Sequence, residues 1–333
     1  MRKAFWAVTL AVASGVTWAT YHRYARDIRR ARERVTRGSR VIDTACGRIE
    51  YAMLGDGDPV LVIHGAGGGF DQGLEFAGAL VERGLRVIAM SRFGYLRTPL
   101  PDDPSPAAQA DAHAALLDAL DIPRAAIIGA SAGAPSAMQF ALRYPDRCSA
   151  LVLMVPAAYV PRPAGSTSLE TPAATSLLFD TALRCDFLFW LAPRIARSLV
   201  LRGIVATPPR VVASASRAER ARVERIIDCI LPVSRRRLGL VNDARITLSL
   251  QRYELERIGA PTLVVSVADD LFGTFDPARY TAAHIPGAQF VGYPSGGHLW
   301  VGHHAEVVLR IVDFLRTHPV SADKAVRRTT IAQ

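Results

Sequence analysis

Short apolar runs alternate with helical segments along most of the chain. These runs, rich in valine, isoleucine and leucine, occupy residues 59–65, 85–91, 125–131, 150–156, 261–267 and 288–294. Continuous apolar runs that alternate with helices are typical of parallel strands covered by helices on both faces of a sheet. A weaker alternation at residues 40–44 and 48–54 indicates a strand pair at a sheet edge. The pattern therefore predicts an α/β fold with a mostly parallel sheet.

This alternation stops at residue 157 and resumes only near residue 259. The intervening residues 157–258 have helical patterns and proline breaks but no convincing strand. We interpret them as a helical cap inserted into a core formed by residues 41–156 and 259–317. The polar tail at residues 318–333 is predicted to be disordered.

The first 40 residues have a different character. Residues 4–21 contain no charged side chain, and this segment is just long enough for a spanning helix. A dense run of arginines follows it. Because basic flanks stay on the cytoplasmic side, this asymmetry predicts a membrane anchor with a basic juxtamembrane segment at residues 1–40. It also predicts a cytoplasmic enzyme body and contact of the basic segment with membrane lipid. A cleaved signal peptide and a peripheral membrane helix are the alternatives.

The charge distribution bears on the possible partners. The chain has a net charge of +10, but residues 1–40 hold ten arginines and lysines against Asp27 and Glu33, which leaves only +2 for the rest. A basic leader on a nearly neutral body is not the footprint of nucleic-acid binding, so we predict no nucleic-acid partner. Four widely separated cysteines predict buried thiols rather than a disulfide framework or a metal site.

A candidate nucleophile follows one of the predicted strands. Residues 129–133 (GASAG) match the GxSxG pattern, with an apolar strand before them and a helical pattern after them. Small residues on both sides of Ser131 let the chain pass through a tight strand-to-helix turn. Such a turn places the hydroxyl at a helix N-terminus, where developing negative charge is favoured. Ser131 is therefore the predicted nucleophile.

A nucleophilic serine needs a general base and an acid that orients the base. His298 lies on a glycine loop after the last predicted strand, where its imidazole can fold back over the strand ends, and it is the predicted base. Asp269 and Asp270 directly follow strand 261–267, so either carboxylate could reach the histidine. The order serine, aspartate, histidine is that of α/β-hydrolases. Nearby His303 and His304 lack the further ligands of a metal site, and no metal is predicted.

These motifs give residues 41–316 a resemblance to the α/β-hydrolase superfamily, in its esterase- and lipase-like branch with a helical cap. In that family the acid commonly ends a G-x-x-D turn after this strand. Residues 267–270 are similar to that turn, with Val267 in place of the glycine, and the resemblance points to Asp270 as the acid.

Two further loops resemble loops of this family. Residues 64–69 (HGAGGG) are similar to the HG oxyanion loop, which implies that the backbone amides of Ala66 (or Gly67) and Ala132 bind the oxyanion. A phosphate-cradling loop is the rival interpretation, but the segment lacks the G-K-[ST] ending. Residues 91–99 are similar to the D-x-R-G-x-G-x-S-x-x-P loop, with Ser91 where aspartate is usual, and we assign them a structural role.

The predicted reaction is hydrolysis of a carboxylic ester through an acyl-enzyme on Ser131, with no cofactor. Apolar cap segments at residues 186–191 and 198–205 are typical of helix packing within the cap. The alternative, an acyl-binding wall over Ser131, favours a lipophilic small-molecule ester. C–C bond hydrolases, peptidases, thioesterases and perhydrolases use the same triad, so they remain alternatives. A non-catalytic binding protein that kept the fold is an alternative from a different class.

Overall fold

The computed structural model describes residues 2–161 and 183–320. The strands are β1 Arg40–Thr44, β2 Gly47–Leu54, β3 Asp58–Ile63, β4 Leu85–Met90, β5 Ala125–Ala130, β6 Cys148–Met154, β7 Thr262–Val267 and β8 Gln289–Tyr293. The helices within these ranges are α1 Arg2–Arg37, α2 Phe70–Val81, α3 Pro106–Ala119, α4 Ala134–Arg143, α5 Asp186–Ile195, α6 Arg197–Gly203, α7 Pro209–Ser214, α8 Arg217–Cys229, α9 Arg237–Leu248, α10 Phe275–His284 and α11 His304–Thr317.

The strands form one eight-stranded sheet in the order β1-β2-β4-β3-β5-β6-β7-β8. β2 pairs antiparallel with both β1 and β4, and the pairings of β3 with β4 and of all later strands are parallel. The predicted edge pair and the six predicted apolar strands are all present, and the α/β fold prediction is confirmed. Because β5, β6 and β7 run parallel, their carboxyl ends meet at one edge of the sheet.

Both faces of the sheet are buried, which explains the continuous apolar runs. Ile127 of β5 lies in a cluster with Leu116 of α3 and Phe140 of α4. Its neighbour Ile128 lies in the cluster on the opposite face, with Leu80 of α2 and Ile311 of α11. Successive strand residues point to opposite faces, so a strand covered on both sides needs apolar residues at every position.

Between β6 and β7, the described residues form α5 to α9 and contain no strand. We call residues 183–258, which contain these five helices and the turns between them, the cap. Most of the predicted disordered tail, from residue 321 onward, lies outside the described residues. Among the cysteines, Cys148 and Cys229 are buried free thiols as predicted. The same prediction is wrong for Cys185, which is half-buried, and for Cys46, which is exposed in the turn between β1 and β2.

The prediction of an N-terminal membrane anchor is wrong. Among the described residues, no helix combines the length and the apolarity that crossing a membrane requires. Threonine, serine and glycine residues spread through positions 9–20 reduce the apolarity of the segment. The cytoplasmic placement and the lipid contact rested on the anchor and are withdrawn with it.

The basic segment after residue 21 is instead part of α1 and packs against the protein. Ile28 and Ala31 lie in an apolar cluster with Trp190 of the cap. The Arg34 guanidinium pairs with Asp71 of α2 at 3.1 Å and donates to the Leu231 carbonyl at 2.6 Å. The second half of α1 thus connects the sheet layer with the cap.

Buried His113 links α3 to the helix that follows the candidate nucleophile. Its Nε2 lies 3.1 Å from the Ser136 hydroxyl of α4, which itself donates to the Gly133 carbonyl. Its Nδ1 atom lies 2.9 Å from Met90 Sδ, so both ring nitrogens have partners within the core. Burial, assisted by the charge of Arg92, lowers the pKa of His113 to about 3.

This depressed pKa predicts a loss of stability in acid. Between about pH 6.5 and about pH 3 the unfolded chain protonates residue 113 and the folded chain does not, so the free energy of unfolding falls as the pH falls. When the pH falls from about 7 to about 4.5, the free energy of unfolding should decrease in both proteins. The decrease should be smaller in His113→Gln than in the wild type, by on the order of 2 kcal/mol. Urea unfolding at the two pH values measures this difference. His22→Gln, on an exposed α1 side chain, is the matched control, and equal pH dependence in all three proteins would contradict the prediction.

Candidate active site

Ser131 lies in a strained turn between β5 and α4. Its φ angle is +49°, a left-handed conformation that is costly for a side chain other than glycine. A Cβ on Gly129 would lie 2.5 Å from the Cβ of Ala137, and one on Gly133 would lie 2.6 Å from the Ile63 carbonyl oxygen. Both glycines are therefore required by close packing, as the GxSxG pattern predicts.

His298 lies beside this serine. It follows β8 on a loop in which Gly296 and Gly297 have φ angles of +139° and +62°. The His298 Nε2 atom is 2.9 Å from Ser131 Oγ, and its Nδ1 atom is 2.7 Å from Asp270 Oδ2. Both His298 and Asp270 are buried. The structure thus brings together the three residues that the sequence singled out.

The two candidate acids, Asp270 and Asp269, have different hydrogen-bond partners. Asp270 Oδ2 also accepts from the Thr274 hydroxyl, and Asp270 Oδ1 accepts from the Phe272 amide at 2.9 Å. Asp269 Oδ1 instead accepts from the backbone amide of Gly297 at 2.7 Å. Asp270 therefore contacts the imidazole, whereas Asp269 holds the loop that carries it.

The HG loop passes close to the serine. A Cβ on Gly65 would lie 3.1 Å from Ser131 Cβ, and Ala66, Gly67 and Ala132 line the same cavity as Ser131. The Gly67 amide donates to the Tyr95 hydroxyl at 3.2 Å. Because that amide is engaged, Ala66 is the better candidate for the oxyanion donor in this loop.

His64 itself is fixed by backbone groups. Its Nε2 accepts from the Arg92 amide at 3.0 Å, so its Nδ1 carries the proton that faces the Gly65 carbonyl at 2.7 Å. Burial, and then the charge of Arg92, holds the pKa of His64 well below its ordinary value. A neutral imidazole with both ring nitrogens hydrogen-bonded to backbone groups holds the HG loop in place.

Residue 91 is a serine where the similar family loop has an aspartate, and the buried Glu50 supplies a carboxylate at this position. Glu50 of β2 accepts from the Ser91 hydroxyl at 2.9 Å and from the Arg97 amide at 3.0 Å, and its other oxygen pairs with the Arg97 guanidinium at 2.7 Å. Sequence reasoning missed this residue. Its position as a charged residue between Ile49 and Tyr51 of β2 is the signal that could have indicated it.

A second missed group joins the same loop to the cap. The Arg92 guanidinium binds both carboxylate oxygens of Asp243 in α9, at 2.8 and 2.6 Å, and both side chains are buried. The Tyr95 hydroxyl lies 2.5 Å from Asp243 Oδ2. Burial, and then the Asp243 carboxylate, holds the pKa of Tyr95 well above its ordinary value of 10, so the hydroxyl keeps its proton.

Ser131 opens into a cavity of about 1320 Å³ between the sheet and the cap. Its described walls are mainly apolar, with Leu188, Phe189 and Ile204 from the cap and Phe272 beside His298. None of the described residues that line it is lysine, arginine or histidine. Its two carboxylates differ, since Asp243 is paired with Arg92 and Asp276 is exposed near Arg279.

Comparisons with known proteins agree with this architecture. A family model described as alpha/beta hydrolase fold matches residues 58–198. The solved structure of an alpha/beta hydrolase fold protein from Nakamurella multipartita is 31% identical, with a TM-score of 0.64, and the match covers 84% of this chain and 99% of that one. The chain belongs to the α/β-hydrolase superfamily.

Two further hydrolases extend the comparison. A 2-hydroxy-6-oxononadienedioate/2-hydroxy-6-oxononatrienedioate hydrolase of Paraburkholderia xenovorans is 30% identical over 285 residues, which cover 80% of this chain and 90% of the relative. The esterase EaEST of Exiguobacterium antarcticum has a TM-score of 0.60 over 83% of this chain and 97% of its own, but at 19% identity it shows the fold alone. Superfamily membership supports an enzyme that hydrolyses its substrate.

The separate contacts of the two aspartates predict different effects of the same substitution. Asp270→Asn should lower kcat for a p-nitrophenyl ester by about 1,000-fold or more, because the imidazole loses the carboxylate that orients it and stabilises its charge. Asp269→Asn keeps an oxygen that can accept from the Gly297 amide, so its kcat should fall by no more than about tenfold. Steady-state kinetics of the two variants measure this contrast, and a larger loss for Asp269→Asn would reverse the assignment.

Proposed function

We propose that the protein is a serine hydrolase that cleaves an uncharged, lipophilic carboxylic ester through an acyl-enzyme on Ser131. One observation carries the proposal, namely the continuous hydrogen-bonded chain from Asp270 through His298 to Ser131. A serine hydroxyl bonded to an imidazole, which is itself bonded to a buried carboxylate, is the arrangement that activates serine for acyl transfer.

The reaction has two halves. As Ser131 Oγ attacks the ester carbonyl, His298 Nε2 takes its proton, and Asp270 stabilises the resulting imidazolium. The amides of Ala66 and Ala132 bind the oxyanion, and His298 returns the proton to the departing alcohol. Water then attacks the acyl-enzyme, with His298 again as the base, and the free acid leaves Ser131.

The cavity supports an apolar acyl group. The cavity has a volume of about 1320 Å³ and walls of leucine, isoleucine and phenylalanine. A hydrocarbon chain that binds there is transferred out of water, which is favourable. Asp243 faces this space, but its charge is neutralised by the buried Arg92. The other carboxylate of the described wall, Asp276, is exposed near Arg279, so the apolar part of the wall is left for the acyl group.

A C–C bond hydrolase is the second candidate, and the curated relatives favour it. The Paraburkholderia xenovorans relative is named for a dienedioate, which carries two carboxylates. The triad does not discriminate, because both reactions can use it. Charge supports the ester, since the described wall has two aspartates, one of them paired with Arg92, and no basic residue. Placing a carboxylate there without a cation is costly, which favours the neutral ester.

A matched pair of esters tests the substrate class. The p-nitrophenyl ester of octanoic acid and the mono-p-nitrophenyl ester of suberic acid have the same chain length, but the second ends in a carboxylate. We expect kcat/KM to be more than about 100-fold higher for the neutral ester, because the carboxylate would be buried without a partner. Equal values, or a preference for the charged ester, would contradict the proposed substrate class.

A dienoate substrate tests the reaction type. We expect 2-hydroxy-6-oxo-6-phenylhexa-2,4-dienoate to be cleaved at least about 100-fold less efficiently than the octanoyl ester. Ser131→Ala should abolish both reactions and serves as the control for turnover by contaminating enzymes. Efficient cleavage of the dienoate, with little ester hydrolysis, would assign the protein to the C–C bond hydrolases.

A further inference from the structure

The Tyr95 hydroxyl lies between the HG loop and the cap. On one side it is 3.2 Å from the Gly67 amide, and on the other it is 2.5 Å from Asp243 Oδ2. Asp243 receives two N–H groups from Arg92, so its oxygens act as acceptors and Tyr95 must be the donor. The remaining lone pair of the tyrosine oxygen then accepts from Gly67.

Close backbone packing holds the tyrosine in this position. The Gly239 amide of α9 donates to the Gly94 carbonyl at 3.0 Å, and the Leu96 amide donates to the Arg235 carbonyl at 2.9 Å. A Cβ on Gly239 would lie 2.1 Å from the Tyr95 ring, so only glycine permits this approach. The loop that carries Tyr95 is therefore locked to the cap helix.

The candidate oxyanion donor belongs to the first of two consecutive hydrogen-bonded peptide groups. The Gly65 carbonyl, which shares a planar peptide with the Ala66 amide, accepts from His64 Nδ1 at 2.7 Å and from the Gly68 amide at 3.2 Å. The second peptide contains the Gly67 amide, which donates to the Tyr95 hydroxyl. Rotation of the backbone at Ala66 is therefore restricted from both sides, which helps to hold the direction of its N–H.

We propose that Tyr95 is a positioning residue for the oxyanion hole, through which Asp243 of the cap fixes the peptide that follows Ala66. This inference rests on the proposed function of Ser131 and Ala66. Docking of the cap and organisation of the oxyanion hole are then coupled, because the Tyr95 hydroxyl is hydrogen-bonded both to Asp243 of the cap and to the Gly67 amide. Loss of the hydroxyl weakens binding of the transition state more than binding of the ester.

The test compares two tyrosine-to-phenylalanine variants of the full-length protein. Tyr95→Phe removes the hydroxyl between Gly67 and Asp243. Tyr144→Phe is the matched control, since its hydroxyl also donates to an aspartate, Asp111, at 2.7 Å but lies at the end of α4. Tyr95→Phe should lower kcat for the octanoyl ester about 10- to 100-fold with KM changed less than about threefold, and Tyr144→Phe should change neither.

Binding of hexyl trifluoromethyl ketone supplies a readout that does not need turnover. Its hemiketal with Ser131 places an oxyanion in the hole and is detected by ¹⁹F NMR. The Kd for this ketone should rise in Tyr95→Phe by the same factor as kcat falls. An unchanged Kd would overturn the positioning role while the proposed function stands, whereas no hemiketal in the wild type would overturn the proposed function itself.

Discussion

The candidate site depends on the two hydrogen bonds that hold the His298 imidazole, one at each ring nitrogen. Their partners, Ser131 and Asp270, come from distant parts of the chain, and they meet because β5, β7 and β8 end at the same edge of a parallel sheet. The strained φ angle of Ser131 directs its hydroxyl toward that edge. Packing of the sheet on both faces sustains this strain, because the close contacts of Gly129 and Gly133 leave the turn no other path.

The cap contributes to the site through buried polar groups as well as through apolar walls. The pair between Arg92 and Asp243 and the hydroxyl of Tyr95 connect α9 to the loop that carries Ala66. Buried charges are costly unless they are paired and hydrogen-bonded, and this pair meets both conditions. The same network pairs Asp243 of the cavity wall with the buried Arg92 guanidinium and neutralises its charge. Substrate class and oxyanion geometry therefore depend on one set of contacts.

Much of the fold and part of the site follow from local sequence patterns. The strands were predictable because a doubly buried strand is apolar at every position, and Ser131 was predictable because its turn demands small neighbours. Asp270 and Asp269 are adjacent, so only the geometry separates their contacts. The sequence did not indicate the roles of Glu50, Tyr95 and Asp243. Their hydrogen-bond partners are far away in sequence, and a local pattern cannot predict such contacts. The anchor prediction failed because absence of charge was taken for sufficient apolarity, and the arginines that were assigned to lipid pack partly against Asp71 and the cap.

The central claim is that His298 activates Ser131 as a nucleophile. Labelling of the folded protein with a fluorophosphonate, followed by intact-mass measurement and peptide mapping, tests it most directly. The account predicts a single adduct, located on Ser131, and a labelling rate that falls by about 1,000-fold or more in His298→Ala. An unlabelled Ser131, or a rate that does not depend on His298, would contradict it.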